Sequence, residues 1–600
     1  MMTNELESQL TVASQDKGTT PAVVAAGRRV VSQTLGAFLT ERLLREGAVF
    51  AHPSAGRWGE VSIQAADRSV IYHACVKRTV AYDRWLVDEG SVWRLHGLDS
   101  SRCDDPLCLL DDLLPLIVGD SITHDRFREE IRQTFLNHTE ALADGGARGC
   151  SLANLGYDAA EAFLTDGHRY HPSFKSRIGF TPKDNKNYGP EFASVIKPIW
   201  LAVHRDLARS SSIEVPNEQD RSLLLRAETP PLKNDYHILP VHPWQWEREV
   251  ESAVQREREA GRIILLRESS HCYLAQQSIR TLADQTSSGA PSLKLSLSIR
   301  NTSTARTLAP HTVLNAPIVS AWLHNIAVKD SYLSESGTIF LLERMGTTVA
   351  LPSEHDPDGR FQGSMGAIWR DPLHRYLWPA DEQASPFSML THLDAGGYPS
   401  IRNWLDTFGV ESWTRALLTV SAIPVVHLLT AYGIALESHQ QNMVLIHRNG
   451  WPLRVALKDF HDGVRFVPKL LRTPAPRLVA TPADHARVNP NSYVEARDPE
   501  DVRDFMFDAL FGVNLAELAF FLEKHFAFDE RAFWSLVAEI IETHHKSYDI
   551  GRKGVAEFGL LSPDVVVEDL ARRRLENGPV PGRRAPNPLV HASASRGQQP

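Results

Sequence analysis

Apolar and polar residues alternate along residues 292–300, which read SLKLSLSIR. Leucine and isoleucine take every second position, and serine, lysine and arginine take the others. A period of two with one apolar face predicts a half-buried antiparallel strand. Residues 272–282 (CYLAQQSIRTL) predict a second strand. If the two strands pair, Arg280 lies close to Lys294, with Ser278 further along the same polar face.

A β-hairpin is predicted for residues 443–457. Two short apolar runs, 443–446 and 453–457, flank the dipeptide Asn449-Gly450. This dipeptide suits the two positive φ angles of a tight hairpin turn, so it is a strong local signal for two paired strands.

Two polar loops flank this hairpin. The first follows a predicted helix and contains Glu437, His439, Gln440 and Asn442. Because a hairpin returns the chain to its starting point, we expect Asp459 and Asp462 of the second loop to lie beside Glu437 and Asn442. Their oxygens suit Mg²⁺, which takes few protein ligands and adds water and substrate phosphates. Protein kinases place an Asn before a hairpin and an Asp after it in the same way. The alternative interpretation is an ordinary hairpin whose flanking loops are polar but bind no metal.

The periodicities along the chain predict an α+β fold with several domains. We expect a disordered lead over residues 1–27, an α/β domain over 28–150, a β-rich domain over 151–397, a mainly helical domain over 398–576 and a disordered tail over 577–600. The apolar residues 420–436 contain Pro424 and His427, which favour a buried, kinked helix over a membrane span.

Composition restricts the function classes. The net charge of −9 argues against a nucleic-acid-binding protein, which usually shows a strongly basic face. The five cysteines form no C-x-x-C pair, which fits a reducing compartment. We therefore expect a soluble cytoplasmic protein without a secretory signal, a membrane partner or a nucleic-acid partner.

Three basic segments are candidate anion sites. Residues 301–307 (NTSTART) predict a Ser/Thr-rich turn that opens a helix and carries Arg306, although the hydroxyls could merely cap that helix. Together with Arg280 and Lys294, an anion site is the better interpretation. Residues 171–180 (HPSFKSRIGF) form a compact cationic loop or a solvated basic turn. Residues 237–246 are interpreted mainly as structural, with Trp244 and Trp246 in the core, and the alternative that His242 lines a site stays open. P-loop, Rossmann, G-x-S-x-G and H-E-x-x-H motifs are absent from the sequence.

These segments together resemble the NRPS-independent siderophore synthetases, the aerobactin-synthetase-like family. The resemblance rests on six motifs in the family's order: HPSFKSRIGF at 171–180, LPVHPWQ at 239–245, SIRT at 278–281, KLSLSIRNTSTARTL at 294–308, ESHQQN at 437–442 and KDFHDG at 458–463. It implies a cupped hand in which an N-terminal thumb, β-rich fingers and a helical palm enclose a basic cleft. The palm would carry the kinase-like metal-binding hairpin.

The resemblance also implies the chemistry. Family members bind ATP and Mg²⁺, adenylate a carboxylate of citrate or a citryl derivative, release pyrophosphate, and pass the acyl group to an amine or a hydroxyl. The implied ATP ligands are His171, Ser278, Arg280, Thr281, Lys294 and Arg306. The implied metal ligands are Glu437, Asn442 and Asp459. Arg306 and His439 would face the substrate carboxylate, with Lys553 as a weaker candidate, and Arg306, His439 and Lys294 would be catalytic.

Two other functions stay open on the residues alone. A small-molecule kinase of the aminoglycoside or choline type has its catalytic Asp five positions before the metal-binding Asn, and here Glu437 stands five before Asn442. A citrate- or siderophore-binding protein would not need the metal loop. We favour the synthetase, expected as a homodimer, and the sequence leaves the carboxylate and the nucleophile undetermined.

Overall fold

The structure is a computed structural model that describes residues 20–50, 53, 56–145, 150–213, 235–302, 304–377, 381–394, 396–483, 485, 492–548, 552–576 and 580–593. Helices and sheets are mixed along the chain, as the sequence predicted. Three regions are described in turn: an N-terminal region (20–145), a middle region (150–394) and a C-terminal region (396–593).

The N-terminal region is a sheet covered by helices. Its elements are α1 (Pro21–Thr40), β1 (Val49–Phe50), β2 (Trp58–Gln64), β3 (Val70–Arg78), β4 (Trp85–Val87), β5 (Trp93–His96), β6 (Asp99–Arg102), α2 (Pro106–Leu113) and α3 (Ser121–Asp144). The strands follow the order β1-β2-β3-β5-β6, and β4 also pairs with β3. One core joins the sheet to the helices, with Leu35, Phe38, Val61, Tyr72 and Phe127 fully buried.

The expected disordered lead over 1–27 is wrong for its last residues. Helix α1 begins at Pro21, and the Thr20 hydroxyl accepts the N–H of Val23 at its start. A capping hydroxyl followed by proline at the first helical position is a favourable helix start, and the apolar residues after it are buried in the core. Residues 1–19 lie outside the described residues.

The middle region contains most of the strands. Its elements are α4 (Tyr157–Phe163), α5 (Pro182–Tyr188), β7 (Ile199–His204), β8 (Ala208–Ser212), β9 (Tyr236–Val241), a helical run over 243–253, α6 (Gln255–Glu259), β10 (Ile263–Glu268), β11 (Tyr273–Ala275), β12 (Thr281–Asp284), β13 (Ser292–Leu295), β14 (Leu297–Asn301), β15 (Thr304–Arg306), α7 (Pro310–Lys329), α8 (Ser331–Glu335), β16 (Ile339–Phe340), β17 (Glu343–Val349), β18 (Gly366–Arg370) and β19 (Gln383–Pro386).

A six-stranded sheet, ordered β11-β12-β13-β18-β17-β8, is the scaffold of this region. Leu293 and Trp369 pair across β13 and β18 and lie in the core beneath one face. Lys294 pairs with Thr281 on β12, and Arg370 pairs with Ser292 on β13, so these four side chains share the opposite face. One face is therefore apolar and the other presents cations.

The predicted strands over 272–282 and 292–300 are interrupted. Residues 276–280 form a turn between β11 and β12, and the chain breaks at Ser296 between β13 and β14. The Ser296 hydroxyl donates to the Gly363 carbonyl (2.8 Å), and β14 leaves the sheet to pair with β15. Lys294 is only 3% exposed, so this strand is buried on both faces and is not half-buried as predicted.

The C-terminal region is mainly helical. Its elements are α9 (Arg402–Phe408), α10 (Val410–His427), β20 (Ile434–Leu436), β21 (Met443–Arg448), β22 (Trp451–Leu457), β23 (Val464–Phe466), α11 (Pro499–Met506), α12 (Ala516–Phe526), α13 (Glu530–Ser547), α14 (Arg552–Glu557), β24 (Asp564–Val567), α15 (Arg572–Leu575), β25 (Arg583–Pro586) and α16 (Pro588–Ser593). Strands β16 and β19 of the middle region pair with β22 and β21, so the predicted boundary at 397 crosses a sheet.

Two helical stretches are long and apolar enough to cross a membrane, Val410–Tyr432 and Pro499–Phe526. In their most apolar windows, 78% and 83% of the residues are buried inside the protein. Both stretches are therefore core helices, and the first contains Pro424 as the sequence predicted.

The predicted disordered tail over 577–600 is also wrong in part. Strand β25 pairs with β24, and α16 follows it. The Arg583 guanidinium donates to the Tyr82 carbonyl (3.3 Å), and the Glu41 carboxylate accepts the N–H groups of Ala571 (3.0 Å) and Arg572 (2.7 Å). These contacts join residues far apart in sequence, which composition alone cannot reveal. Residues 594–600 lie outside the described residues.

Candidate active site

The predicted hairpin is present and joins the two polar loops. Asn449 and Gly450 have φ angles of 50° and 88°, as a tight primed turn requires. The Lys458 N–H donates to the Asn442 carbonyl (3.1 Å), and the Glu437 N–H donates to the Gly463 carbonyl (2.9 Å). The loop before the hairpin therefore lies beside the loop after it, as predicted.

Glu437 and Asn442 offer oxygen atoms in the first loop. The Asn442 side-chain amide donates to the Glu437 carbonyl (2.9 Å), so its Oδ1 faces away from this bond. Burial, together with the neighbouring carboxylate of Asp462, raises the pKa of Glu437 to about 7. A carboxylate that is reluctant to ionise alone is stabilised by a cation, which fits the proposed metal.

Asp459, in the second loop, is held by two cations. Its carboxylate accepts from the Lys294 ammonium (2.9 Å) and from the Arg370 guanidinium (2.6 Å). Although burial opposes it, these two charges hold the pKa of Asp459 well below its usual range. Asp459 also has a φ of 70°, a left-handed conformation that a residue with a Cβ adopts only at a cost.

The donor set is compatible with Mg²⁺. Glu437, Asn442 and Asp459 supply two carboxylates and one amide oxygen, which are hard oxygen ligands. Among the described residues, no group of three His, Cys, Asp or Glu side chains could hold a metal ion by itself. An ion at this place would therefore complete its coordination with water and substrate phosphates, as Mg²⁺ normally does.

Lys294 lies on the cationic face of the six-stranded sheet. It is 3% exposed, and burial, opposed by Asp459 and reinforced by Arg280, lowers its pKa to about 8. A buried ammonium that is costly to keep charged gains from the arrival of an anion.

The turn between β11 and β12 carries the next three predicted residues. The Ser278 hydroxyl donates to the Thr281 hydroxyl (2.7 Å) and accepts the Thr281 N–H (3.2 Å). The Arg280 guanidinium donates to the carbonyls of Arg306 (3.1 Å) and Thr307 (2.7 Å). Ile279, between them, has a φ of 64°, which is a strained conformation for a β-branched residue. The turn is thus fixed to the hairpin that holds Arg306.

Arg306 lies in a β-hairpin and not in the predicted helix start. Strands β14 and β15 pair with each other in antiparallel fashion. Helix α7 begins only at Pro310, after a cap residue, Ala309, whose side chain makes no capping bond. The Arg306 guanidinium donates to the Asn301 carbonyl (3.0 Å) and the Thr302 hydroxyl (2.7 Å), and its buried Nε has no partner in the described structure. Burial and the charge of Arg280 lower the pKa of Arg306 to about 10.

His439 faces this cationic group from the C-terminal region. Its Nδ1 accepts the N–H of Gln441 (3.2 Å), so the neutral ring carries its proton on Nε2. Burial lowers the pKa of His439 to about 4, and the charges of Asp459, Arg306 and Lys294 also act on it. The imidazole is therefore a neutral hydrogen-bond donor within electrostatic reach of three predicted site residues.

His171 joins the site from the start of the middle region. It is 2% exposed, and its Nδ1 accepts the Ser173 N–H (3.2 Å). Burial lowers its pKa well below the usual value, and the neighbouring His168 and Arg306 lower it further. Burial likewise lowers the pKa of His168 to about 3, with His439 as the next cause, and the His168 ring centroid lies 6.1 Å from that of His171.

Other predicted cations lie elsewhere. Lys175 and Arg177 both pair with the buried carboxylate of Glu191 (2.9 and 2.8 Å), so the cationic loop is mostly neutralised inside the protein. Lys553 is exposed on α14, and none of the described contacts joins it to the site. His242 is fully buried, and its Nδ1 accepts the Trp244 N–H (3.2 Å) at the start of the helical run over 243–253.

Sequence reasoning missed Arg370 and His168. His168 stands three residues before His171 in HRYH, a spacing that could have been noticed. Arg370 gave no signal, because its role follows from the pairing of β18 with β13, which the sequence does not reveal.

Two family models match the chain. The IucA / IucC family model matches residues 156–392, and a model described as ferric iron reductase FhuF-like transporter matches residues 411–580. The first match covers β7–β19, and the second covers the hairpin and helices α11–α15 of the C-terminal region.

Similar proteins extend over almost the whole chain. A Staphylococcus aureus protein named 2-[(L-alanin-3-ylcarbamoyl)methyl]-3-(2-aminoethylcarbamoyl)-2-hydroxypropanoate synthase is 35% identical over 565 residues, covering 91% of this chain and 90% of that protein. A Bacillus anthracis protein named citryl-spermidine/3,4-dihydroxybenzoyl-citryl-spermidine:spermidine ligase is 34% identical, covering 92% and 91%.

Solved structures give the same fold. The petrobactin biosynthesis protein AsbB of Bacillus anthracis superposes with a TM-score of 0.85 at 33% identity and covers 96% of this chain and 97% of that one. The aerobactin synthetase IucC of Klebsiella pneumoniae superposes with a TM-score of 0.76 at 24% identity, over 95% and 99%. The chain therefore belongs to the IucA/IucC family of NRPS-independent siderophore synthetases.

Proposed function

We propose that the chain is an ATP-dependent ligase that adenylates a carboxylate of citrate or a citryl derivative and condenses it with an amine. The observation that carries this proposal is the convergence of Lys294 and Arg370 from the cationic sheet face on Asp459, with Arg306 and His439 beside them. The relation to the family supports the reaction class. The contacts of the site residues support the binding role proposed for each of them below.

The phosphates of ATP would lie against the cationic face. Lys294, Arg280 and Arg306 carry the charge there, while Ser278, Thr281 and His171 add hydrogen-bonding groups. Attack of a carboxylate on the α-phosphorus brings negative groups together, and fixed cations that are shielded from water offset this repulsion strongly. Because Arg280 is already fixed by two carbonyls, its guanidinium needs little reorganisation when a phosphate arrives.

Glu437, Asn442 and Asp459 would hold Mg²⁺, which would neutralise phosphate charge and make pyrophosphate a better leaving group. Lys294 and Arg370 keep the Asp459 carboxylate in place until then. We infer that the hairpin works as it does in kinases, with Asn442 before it and Asp459 after it.

The substrate carboxylate would approach between Arg306 and His439. The buried Nε of Arg306 is an unused donor, and the Nε2 proton of neutral His439 is another. Two donors from different regions can orient a carboxylate oxygen toward the α-phosphorus without adding a second mobile charge. Lys553, on an exposed helix, remains a weaker candidate for a later contact with this substrate.

An amine is a better nucleophile candidate than a hydroxyl. The names of the two relatives contain spermidine and a 2-aminoethylcarbamoyl group, both of which are amine-derived. We further propose a cupped-hand arrangement of thumb, fingers and palm, a homodimer and a cytoplasmic location. The five cysteines are all free, which suits that compartment.

The experiment that tests the reaction uses purified protein, ATP, Mg²⁺, hydroxylamine and a panel of carboxylic acids. We expect hydroxamate, AMP and pyrophosphate with citrate or a citryl amide. Arg306→Ala should abolish the product, while Arg262→Ala, which breaks an ion pair with Glu257 away from the site, should not. ADP with a phosphorylated product would support the kinase alternative, and tight citrate binding without turnover would support a binding protein.

A further inference from the structure

Glu161 lies at the centre of a buried polar cluster outside the groups assigned above. It is on helix α4 and is 1% exposed. One carboxylate oxygen accepts from the Lys458 ammonium and from the Tyr157 hydroxyl (2.9 Å), and the other accepts the Gln277 N–H (3.3 Å). The Tyr157 hydroxyl also accepts from Lys458 (3.2 Å). A buried carboxylate with this many donors is fixed in one orientation.

The partners of Glu161 lie at the two ends of the candidate site. Lys458 immediately precedes Asp459, and its N–H donates to the carbonyl of Asn442 (3.1 Å). Gln277 immediately precedes Ser278 in the phosphate turn between β11 and β12. Glu161 therefore bridges the loops that flank the β21–β22 hairpin and the turn between β11 and β12.

Arg370 forms a second bridge between the same two segments. Its guanidinium donates to Asp459 (2.6 Å) and to the Gln276 side-chain carbonyl (2.7 Å). Each segment contains a residue in the left-handed region, Ile279 with a φ of 64° and Asp459 with a φ of 70°. Strained backbone conformations persist only where the surrounding structure holds them, so we infer that the two bridges keep Ile279 and Asp459 in their left-handed conformations.

We propose that Glu161 is a positioning residue that sets the distance between the phosphate turn and the metal loops. It acts through Lys458 and the Gln277 N–H, and it completes a clamp whose other side is Arg370. Without its charge, the Lys458 ammonium loses its carboxylate partner, and the single amide oxygen that is left cannot accept from both Lys458 and the Gln277 N–H with the strength of a carboxylate, so both segments relax together. This inference rests on the proposed function for its kinetic consequence, whereas its structural consequence is independent of it.

The structural consequence is tested by hydrogen exchange on the ligand-free protein. Glu161→Gln keeps the shape of the side chain and one acceptor oxygen but removes the negative charge of the carboxylate. We expect faster amide exchange in two peptides at once, one covering residues 276–281 and one covering 458–463, with other peptides unchanged. The matched control is Glu257→Gln, which neutralises another fully buried glutamate that pairs with Arg262 and His355. Exchange that rises in only one segment, or in neither, overturns the proposal.

The kinetic consequence is tested by metal titration. Loss of a group that orients metal ligands typically costs 10–100-fold in metal affinity or activity. We expect Glu161→Gln to raise the Mg²⁺ concentration for half-maximal rate and the KM for ATP by at least about 10-fold, while the KM for the carboxylate changes less than about 2-fold. Glu161→Asp should recover part of the loss. Equal changes in all three constants, or changes matching those of Glu257→Gln, would indicate a general structural role and overturn the proposal.

A second variant, Tyr157→Phe, tests the same clamp. If Glu161→Gln does not fold, Tyr157→Phe removes only the hydroxyl that links Glu161 with Lys458 and should give the same paired exchange with smaller amplitude. Unchanged exchange in that variant counts against the clamp. If the wild-type protein forms no AMP, the proposed function fails, but the hydrogen-exchange result still stands or falls by itself.

Discussion

Replacing Lys294 with methionine should make the ligand-free protein more stable while abolishing its activity. Lys294 is 3% exposed, and its ammonium is held by Asp459 at the centre of the cationic sheet face. Methionine has nearly the same length and fills the same space with a flexible apolar side chain. Asp459 keeps its second partner, Arg370, so the substitution leaves no carboxylate unpaired.

The size of the effect follows from the pKa of Lys294, which burial lowers from 10.5 to about 8. Each pKa unit corresponds to about 1.4 kcal/mol, so keeping this lysine charged costs the folded state roughly 3 kcal/mol at neutral pH. The value already includes the attraction of Asp459. Removing the charge should therefore raise the free energy of unfolding by up to about 3 kcal/mol.

The pH dependence distinguishes this cause from better packing. Below pH 8 the lysine is charged in both states, and its cost is fully present. Between about pH 8 and 10.5 the folded protein releases the proton and the unfolded protein keeps it, so the wild type gains stability. Above that range the cost is gone. The stability advantage of Lys294→Met should thus be constant up to pH 8 and shrink as the pH rises toward 10.

Urea denaturation at several pH values measures this difference. Lys77→Met is a suitable control, because Lys77 is equally buried and pairs with Glu523 and Glu530, whose charges would lose their partner. That variant should be less stable than the wild type. If Lys294→Met is destabilised to a similar extent, or if its stability advantage does not change with pH, then the Lys294 charge does not destabilise the ligand-free protein and the reasoning is refuted.

Three further outcomes are expected. Arg306→Ala should lose activity with little change in melting temperature, since the guanidinium lines the site and its removal opens no cavity in the core. A large fall in melting temperature would show that Arg306 has a structural role. Asn442→Ala and Asp459→Ala should each impair turnover severely, and the double variant should cost little more than the worse single one, with extra Mg²⁺ rescuing only the Asn442 variant; additive losses would contradict a shared ion. ATP binding at pH 8.5 should take up about 0.8 proton, because a lysine with a pKa of about 8 is mostly uncharged at that pH and phosphate raises its pKa again. Calorimetry in buffers of different ionisation enthalpy measures this uptake, which should become small at pH 6.5.

The sequence predicted the local parts of the site well. The hairpin turn at Asn449-Gly450 was correct because its conformation depends on two adjacent residues. The closeness of Arg280 and Lys294 was also correct, since the Arg280 carbonyl accepts the N–H of Leu295. In both cases the residues belong to one hairpin and are at most 15 residues apart in sequence.

Errors occurred where distant contacts decide local structure. The alternating residues 292–300 break at Ser296 because a carbonyl 67 residues away accepts its hydroxyl. Helix α7 begins later than predicted because Arg306 is held in a strand by β14. The partners of Asp459 were missed for the same reason, since Arg370 reaches it from a strand 89 residues earlier. Local propensity cannot anticipate such contacts.

The bonds from Glu41 to Ala571 and Arg572 have a consequence for synthesis of the protein. Ala571 and Arg572 lie 530 and 531 residues after Glu41 in the sequence. The Glu41 carboxylate, at the end of α1, therefore cannot form these bonds until almost the whole chain has been translated. At roughly 5–20 residues per second, the delay is at least about 25 s. During that interval the surface that later receives α15 and β25 is open to other proteins, and a chaperone that covers it would protect the nascent chain from misassembly. Premature termination before residue 571 would leave that surface permanently uncovered.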